Sequence, residues 1–304
     1  MNTTARGSLV IGLSLSVIPL MSGVCAAQTT PRDAPTVDIT ATDYAFRAPD
    51  AIPSGWTTIR FTNEGNEAHF VFISRLPEGT DIRDYETQLH PAFARSWEAV
   101  RDHGASPEEA MQALFSELPD WFPELQMIGG PGLVGAGLTS LTTLQLAPGE
   151  YALECYLKTQ DGRIHYMEGM VRPITVTAER SPAAPPAPDV TVTLSNNKMD
   201  FDGEFTAGRR TIAVHIAENP EEGFGHSAHL ARLNGAPVQD VVDWMNWFGR
   251  HAMAAPAPAE FVGGVHFMPV GETAYFTVDL VPGRYLLVSE NTAHLGVHRE
   301  FTVR

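Results

Sequence analysis

Apolar and polar residues alternate along several short segments of the chain. Residues 37–42, 174–177, 190–194 and 301–303 place an apolar side chain at every second position, and many of these side chains are β-branched. Patterns with a period of two are typical of strands that bury one face. The sequence therefore predicts a mainly β protein built from short strands.

Two segments break this alternation and have helical character. In residues 81–118, Ser106 is followed by Pro107 and two glutamates, a combination typical of a helix N-terminus. Residues 239–253 look like the counterpart of this segment in the second half of the chain. Both are interpreted as helical insertions into a loop of a β-sandwich.

The two halves of the chain repeat each other at a constant offset of 134 residues. Pro-Gly precedes Tyr151 in the first half and Tyr285 in the second, and Gly-Gly pairs begin at Gly129 and Gly263. Pro-Gly is turn chemistry before a strand. The Gly-Gly pairs are also interpreted as turns that enter strands, since neither has the sequence of a phosphate-binding loop.

The repeat predicts two tandem Greek-key β-sandwiches, each with a helical insertion. A stretch rich in Pro and Ala, residues 179–188, is the predicted linker between them. The first predicted domain covers residues 35–178, and the second covers residues 189–304.

The N-terminus has the pattern of a signal peptide over residues 1–27. Arg6 precedes an apolar run at 9–21, and small residues follow up to Ala26 and Ala27, where cleavage is expected. The run is too short for an ordinary membrane span. We therefore expect a periplasmic or secreted protein. A lipoprotein anchor on Cys25 is a less favoured alternative, because Val24 is larger than the residue usual at such sites.

Charge and cysteine content narrow the function further. With 20 Lys and Arg against 36 Asp and Glu, the net charge is −16, which disfavours nucleic acid and anionic lipid as partners.

Of the two cysteines, only Cys155 would remain after cleavage, in a compartment that oxidises thiols. A single cysteine of this kind is either an inert core residue or a functional thiol.

The surroundings of Cys155 favour a functional thiol. His165 and Met170 follow it, so a thiolate, an imidazole and a thioether lie within sixteen residues, directly after the strand-like residues 150–154. Soft sulfur ligands with imidazole suit a copper ion that cycles between two oxidation states. We nominate His69 as the fourth ligand, because it follows an Asn-Glu-Gly turn and enters another predicted strand.

In these features the first half resembles the cupredoxin (plastocyanin-like, type 1 blue copper) family, over nearly all of residues 35–178. The resemblance implies a copper that shuttles single electrons, with His69, Cys155 and His165 as equatorial ligands and Met170 as the axial ligand; Met167 is a rival for the axial place. Three features carry it: Asn63-Glu-Gly with His69, Pro148-Gly-Glu-Tyr before Cys155, and His165-x4-Met170 before the closing strand.

Two details depart from the family pattern. Nine residues separate Cys155 from His165, a longer loop than in the small electron carriers and closer to copper nitrite reductases. The aromatic residue often found two positions before the cysteine is Leu153 here. Both departures leave the ligand types in place.

The second half lacks the sulfur ligands, because Ser289 aligns with Cys155 and Val297 aligns with Met170. It is interpreted either as a degenerate structural copy or as the site of a second metal held by imidazoles, which suit Cu(II), Ni(II) and Zn(II) alike. The histidines that could gather there are His226, His229, His266, His294 and His298.

The sequence thus predicts an exported copper-binding protein that transfers electrons to or from an unknown redox partner. An enzyme is not expected, because the neighbours of Cys155 are Glu154 and Tyr156 rather than a histidine that would lead to a second copper. One alternative is a metal-free cupredoxin-like binding module. A lower alternative is a copper enzyme with a histidine-rich second site.

Overall fold

Strands dominate the computed structural model, as the alternating pattern predicts. The structure describes residues 1–3, 33–221, 223–249 and 251–304, so the predicted signal peptide lies outside the described residues from residue 4 onward. The strands of the first half are β1 Thr36–Thr42, β2 Ala45–Arg47, β3 Ala51–Asn63, β4 Phe72–Arg75, β5 Gln126–Gly129, β6 Thr139–Leu146, β7 Gly149–Glu154 and β8 Val171–Arg180. The strands of the second half are β9 Val190–Ser195, β10 Lys198–Asp202, β11 Gly208–Ile216, β12 His226–Arg232, β13 Glu260–Met268, β14 Thr273–Leu280, β15 Gly283–Val288 and β16 His298–Val303.

Each half folds as a β-sandwich of two sheets. In the first half, one sheet contains β2, β1, β3 and β6, and the other contains β8, β7, β4 and β5. Strand β3 serves both, because residues 51–54 pair with β8 and residues 55–62 pair with β6. The second half forms the sheets β10–β9–β11–β14 and β13–β12–β15–β16. The predicted mainly β class with sandwich domains is confirmed.

Strand bounds in the two halves coincide at the offset seen in the sequence. Strands β6 and β14 differ by 134 residues at both ends, and so do β7 and β15. The parallel pair β1–β3 also has its counterpart in the parallel pair β9–β11. The origin of the halves as copies of one domain stays a prediction, as do the domain boundaries.

One sheet runs through both halves. Strand β6 pairs antiparallel with β14, through Thr143 opposite Tyr275 and Leu141 opposite Thr277, and Trp56 packs edge-on against Tyr275 at 5.7 Å between ring centroids. Strand β8 continues to Arg180, and residues 181–188 between β8 and β9 have no regular structure. The described residues from 33 onward therefore pack as one compact unit.

Helices occupy the predicted insertion of the first half. They are α1 Ile82–Asp84, a π-helical turn Tyr85–Leu89, α2 His90–His103, α3 Pro107–Glu117 and a 3-10 turn Phe122–Glu124. Helix α3 begins as predicted, with Ser106 accepting a hydrogen bond from the Glu109 amide while the Glu109 carboxylate accepts one from the Ser106 amide. No helix among the described residues is long and apolar enough to cross a membrane.

The insertion of the second half is less helical than predicted. Helix α4 covers only Val238–Trp244, whereas the sequence suggested a helix to residue 253. Beyond α4, the carbonyl oxygens of Trp247 and Ala252 accept hydrogen bonds from the Lys158 ammonium group. These carbonyls are therefore bound by a side chain of the other half rather than by helical amides.

The Gly-Gly pairs serve close packing rather than turns, which corrects the sequence interpretation. Gly129 ends β5, and Gly263 and Gly264 lie inside β13. A Cβ atom would lie 2.0 Å from the Val71 carbonyl oxygen at Gly130, and 2.1 Å from the Ala228 carbonyl oxygen at Gly264. Only residues without a side chain allow these strands to approach so closely.

Candidate metal centre

Three side chains that the sequence nominated converge in the first half. His69, Cys155 and His165 are fully buried, and one donor atom of each lies within 4.8 Å of the others. The Cys155 sulfur is 3.8 Å from Nδ1 of His69 and 3.5 Å from Nδ1 of His165. One thiol and two imidazole nitrogens therefore face a common point.

A tight turn after β3 places His69. The Asn63 side chain donates hydrogen bonds to the carbonyl oxygens of Glu67 (2.7 Å) and Val134 (2.9 Å), and accepts one from the Gly65 amide. His69 then forms a bridge with Val134 through both of its backbone groups. The Asn-Glu-Gly sequence thus closes the turn and fixes the direction in which the imidazole leaves it.

The other nominated residues follow β7 in one loop. The Cys155 amide donates to the Met170 carbonyl at 3.1 Å, and the Met170 amide donates to the His165 carbonyl at 3.0 Å. Met170 is fully buried, whereas Met167 is 56% exposed. The backbone therefore holds Cys155, His165 and Met170 together, and of the two methionines only Met170 is enclosed by the protein.

Two carboxylates orient the imidazoles. Nε2 of His69 lies 3.1 Å from Asp43, and Nε2 of His165 lies 3.0 Å from Glu67. These acceptors keep the ring proton on Nε2, so the lone pair of Nδ1 points toward Cys155. Sequence reasoning missed both acids. Glu67 could have been found from its place in the turn before His69, but nothing in the sequence marked Asp43.

Burial controls the protonation of this cluster. It raises the pKa of the Cys155 thiol to about 12, against the opposing effect of backbone hydrogen bonds from Phe70 and Leu157. Burial and the nearby His165 lower the pKa of His69 to about 4. Without a metal, the thiol and the His69 imidazole are therefore neutral at pH 7. A metal that binds the thiolate would displace one proton.

The long loop between Cys155 and His165 reaches both the helical insertion and the second half. Lys158 is fully buried, and its ammonium nitrogen lies 3.7 Å from the centroid of the Trp97 ring and 4.3 Å from that of Trp247. The Trp97 indole donates to the Gly162 carbonyl at 2.8 Å. The extra residues that depart from the family pattern therefore anchor the loop on both sides.

These donors fit a copper ion by their chemistry. A thiolate and two neutral imidazole nitrogens are ligands that copper and zinc accept, and a thioether in addition favours copper. His69, Cys155 and His165 are the residues that could hold such an ion. The axial role of Met170, which the family resemblance implies, stays a prediction.

The second half has no equivalent cluster at the aligned positions. The Ser289 hydroxyl accepts hydrogen bonds from the Ser227 amide and the Thr292 hydroxyl, and Val297 is packed in the core. His226 is buried, and its ring nitrogens have no hydrogen-bond partner within the described part of the chain, while His294 is exposed. Neither His226 nor His294 belongs to a group of potential metal ligands among the described residues.

His266 instead joins His229 and Glu290, which sequence reasoning had not singled out as a ligand. One nitrogen of each imidazole and a Glu290 oxygen lie within 4.8 Å of one another, and all three residues are buried. The Tyr156 hydroxyl donates to Glu290 at 2.8 Å and lies 3.0 Å from Nε2 of His266. The only hint in the sequence was the offset of the repeat. Tyr156 follows Cys155, and Glu290, 134 residues later, follows Ser289, which aligns with Cys155.

Burial also governs this second cluster. It lowers the pKa of His229 to about 3 and that of His266 well below its usual range. It raises the pKa of Glu290 to about 8, although the hydrogen bond from Tyr156 acts in the opposite direction. The pKa of the Tyr156 phenol is raised well above its ordinary value by burial and by the Glu290 charge. Both imidazoles and the phenol are therefore neutral.

Comparisons with known proteins find likeness in structure. No protein-family model and no curated protein matches the chain. Auracyanin from Roseiflexus castenholzii is 21% identical over 48% of this chain and 99% of its own, with a TM-score of 0.28. Auracyanin A, a "blue" copper protein from Chloroflexus aurantiacus, is 17% identical over 47% of this chain and 98% of its own, also with a TM-score of 0.28.

A larger protein also matches. A multicopper oxidase is 14% identical over 88% of this chain and 88% of its own, with a TM-score of 0.22. This match contradicts the prediction that the chain is not an enzyme, and that prediction is withdrawn. A TM-score this low assigns no reaction to the chain.

Proposed function

We propose that the chain is an exported copper protein whose first sandwich binds a type 1 copper and transfers single electrons. The observation that carries this proposal is the convergence of Cys155, His69 and His165, with Nδ1 of both imidazoles facing the sulfur. We assign the equatorial positions to these three residues and the axial position to Met170.

The surroundings of the ligands support electron transfer. All four proposed ligands are fully buried. Asp43 and Glu67 hold the two imidazoles, and backbone hydrogen bonds tie Cys155 to Met170 and Met170 to His165. When bound, copper supplies a one-electron couple. A site whose ligands are fixed by the fold needs little rearrangement when the ion changes oxidation state.

The charge of the chain bears on its partner. The net charge of −16 favours a redox partner with a positively charged docking face, because opposite charges steer association. We place the protein in the periplasm or outside the cell, on the signal-like N-terminal sequence.

Reversible redox chemistry tests the proposal. The purified chain is loaded with one equivalent of Cu(II), reduced with ascorbate and reoxidised with ferricyanide, while its visible absorbance is followed. We expect a thiolate–copper band that bleaches and returns over repeated cycles. A band that fails to return, or copper that leaves the protein on reduction, would contradict electron transfer and favour a carrier or storage role for the metal.

A further inference from the structure

The cluster of Tyr156, His229, His266 and Glu290 has the composition of a metal site, but its hydrogen bonds indicate another role. Nδ1 of His229 accepts a hydrogen bond from the Leu133 amide at 3.1 Å, and Nδ1 of His266 accepts one from the Phe267 amide at 2.8 Å. A backbone amide can only donate, so both imidazoles carry their proton on Nε2.

This arrangement is the reverse of that at the Cys155 site. There, the carboxylates of Asp43 and Glu67 hold the Nε2 proton and leave an inward lone pair on Nδ1. In the second cluster, Nε2 of His266 presents an N–H group toward Tyr156 and Glu290. Nε2 of His229 is buried without a hydrogen-bond partner within the described residues. A metal would need lone pairs where these imidazoles carry protons.

The phenol of Tyr156 is the centre that these groups share. Its hydroxyl donates to Glu290 at 2.8 Å, and the N–H of His266 lies 3.0 Å from the same oxygen. When Glu290 is ionised, above its pKa of about 8, the phenol therefore has a hydrogen-bonded carboxylate that can accept its proton, and a separate N–H donor that remains in place once the proton has left. An inert buried tyrosine needs only one of these partners.

We propose that Tyr156 is a redox-active residue, oxidised by one electron with transfer of its phenolic proton to Glu290. The O–H bond of Tyr156 breaks, an O–H bond forms on the Glu290 carboxylate, and one electron passes to a one-electron oxidant. The product is a neutral tyrosyl radical, whose oxygen accepts the hydrogen bond from His266. The proton stays within the Tyr156–Glu290 pair, and the net charge of the pair rises by one as the electron leaves.

The position of Tyr156 fits this role. It is the residue directly after Cys155, so the backbone connects the phenol to the proposed copper ligand. Its ring packs against Phe70 and Phe72, with centroid distances of 4.6 and 5.8 Å, and with Glu290 it lines an aromatic cavity. In the working protein the oxidant would be the oxidised copper of the proposed function, so this last step alone rests on that proposal.

The experiment uses the metal-free full chain, so that its outcome is independent of copper binding. A photogenerated ruthenium(III) polypyridyl complex serves as the one-electron oxidant. Measurements are made at pH 9, above the pKa of Glu290, where the carboxylate is free to accept a proton. The tyrosyl radical is detected by electron paramagnetic resonance in the wild type and in Tyr156→Phe, Glu290→Gln and Glu154→Gln.

Glu154→Gln is the matched control. Glu154, the residue before Cys155, is also a buried carboxylate, and it accepts a hydrogen bond from a different phenol, that of Tyr85, at 2.8 Å. We expect Tyr156→Phe and Glu290→Gln to lose most of the radical signal and Glu154→Gln to retain it. Circular dichroism of each variant confirms that it is folded.

Two results would overturn the proposal. One is a radical signal of wild-type size in folded Tyr156→Phe or Glu290→Gln. The other is a metal site in the cluster: one equivalent of Zn(II) or Cu(II) bound by Cys155→Ser, and lost when Glu290→Gln is added. Failure of the wild type to bind copper at Cys155 would leave this radical test unchanged, so the two proposals fail separately.

Discussion

At the scale of single residues, the two histidine clusters differ in the hydrogen-bond partner of the outer imidazole nitrogen. The outer nitrogen is the ring nitrogen that faces away from the centre of the cluster. Asp43 and Glu67 accept hydrogen bonds from the outer nitrogens of His69 and His165, which leaves lone pairs inside. The Leu133 amide donates to the outer nitrogen of His229, which leaves a proton inside. Groups outside a ligand shell are known to set metal affinity in this way.

Removal of one outer acceptor should therefore weaken copper binding. We expect Glu67→Ala to lower the affinity for Cu(II) about 10- to 100-fold, because His165 loses the group that fixes its tautomer and orientation. Competition with a chelator of known affinity measures the change. Glu64→Ala is the control, since Glu64 lies in the same turn but pairs with the exposed Arg47. Equal affinities for the two variants would refute the assigned role of Glu67.

The sequence nominated the candidate ligands, but it did not point to the groups that support them. Cys155, His165 and Met170 lie close together in the chain, and the turn at Asn63 marked His69, so local spacing was enough to nominate them. Asp43 comes from a loop near the N-terminus and meets His69 only through the fold. An acidic residue in an exposed loop is common, and the local sequence did not distinguish this one.

At the scale of secondary-structure elements, the alternating pattern predicted strands, but it did not predict where their backbones approach closely. Period two predicted β1 and β9 because their buried faces are apolar. The Gly-Gly pair of β13 was misinterpreted as a turn, because glycine is typical of both turns and close strand packing. The close approach of the β12 backbone shows that this pair serves strand packing, and β12 is distant from it in sequence.

A methyl group at Gly264 should show this difference. We expect Gly264→Ala to lower the free energy of unfolding by at least about 2 kcal/mol more than Gly271→Ala, because overpacking adds to the backbone cost. Both glycines have positive φ, at +140° and +89°, but only Gly264 would place a Cβ against the Ala228 carbonyl, while Gly271 has open space. Urea unfolding measures both, and similar losses would contradict the close contact.

At the scale of the whole molecule, the halves are joined more closely than a linker suggests. The sequence showed a Pro/Ala stretch between two domains, but it could not show that β6 pairs with β14 or that Lys158 binds carbonyl groups across the halves. Such contacts depend on surface complementarity between segments 89 or more residues apart. Tyr156 and Glu290 meet in the same way, through the packing of one half on the other.

That packing makes the stability of the metal-free protein depend on pH. Burial raises the pKa of Glu290 from 4.5 to about 8, so between these values the folded state keeps a proton that the unfolded state releases. The contribution of Glu290 to the free energy of unfolding therefore falls as pH rises from 4.5 to 8, by a few kcal/mol at most. Between pH 5 and pH 8.5, we expect the free energy of unfolding to fall less in Glu290→Gln than in the wild type, as measured by denaturant unfolding. Identical losses would contradict a buried, protonated Glu290.

The central claim concerns the thiol of Cys155, and the absorbance of the copper-loaded chain tests it most directly. Cu(II) is titrated into the purified protein and into Cys155→Ser while the visible spectrum is recorded. We predict an intense thiolate–copper band that saturates at one equivalent in the wild type and is absent from folded Cys155→Ser. No band in the wild type, or a band that survives in Cys155→Ser, would contradict the proposed copper site.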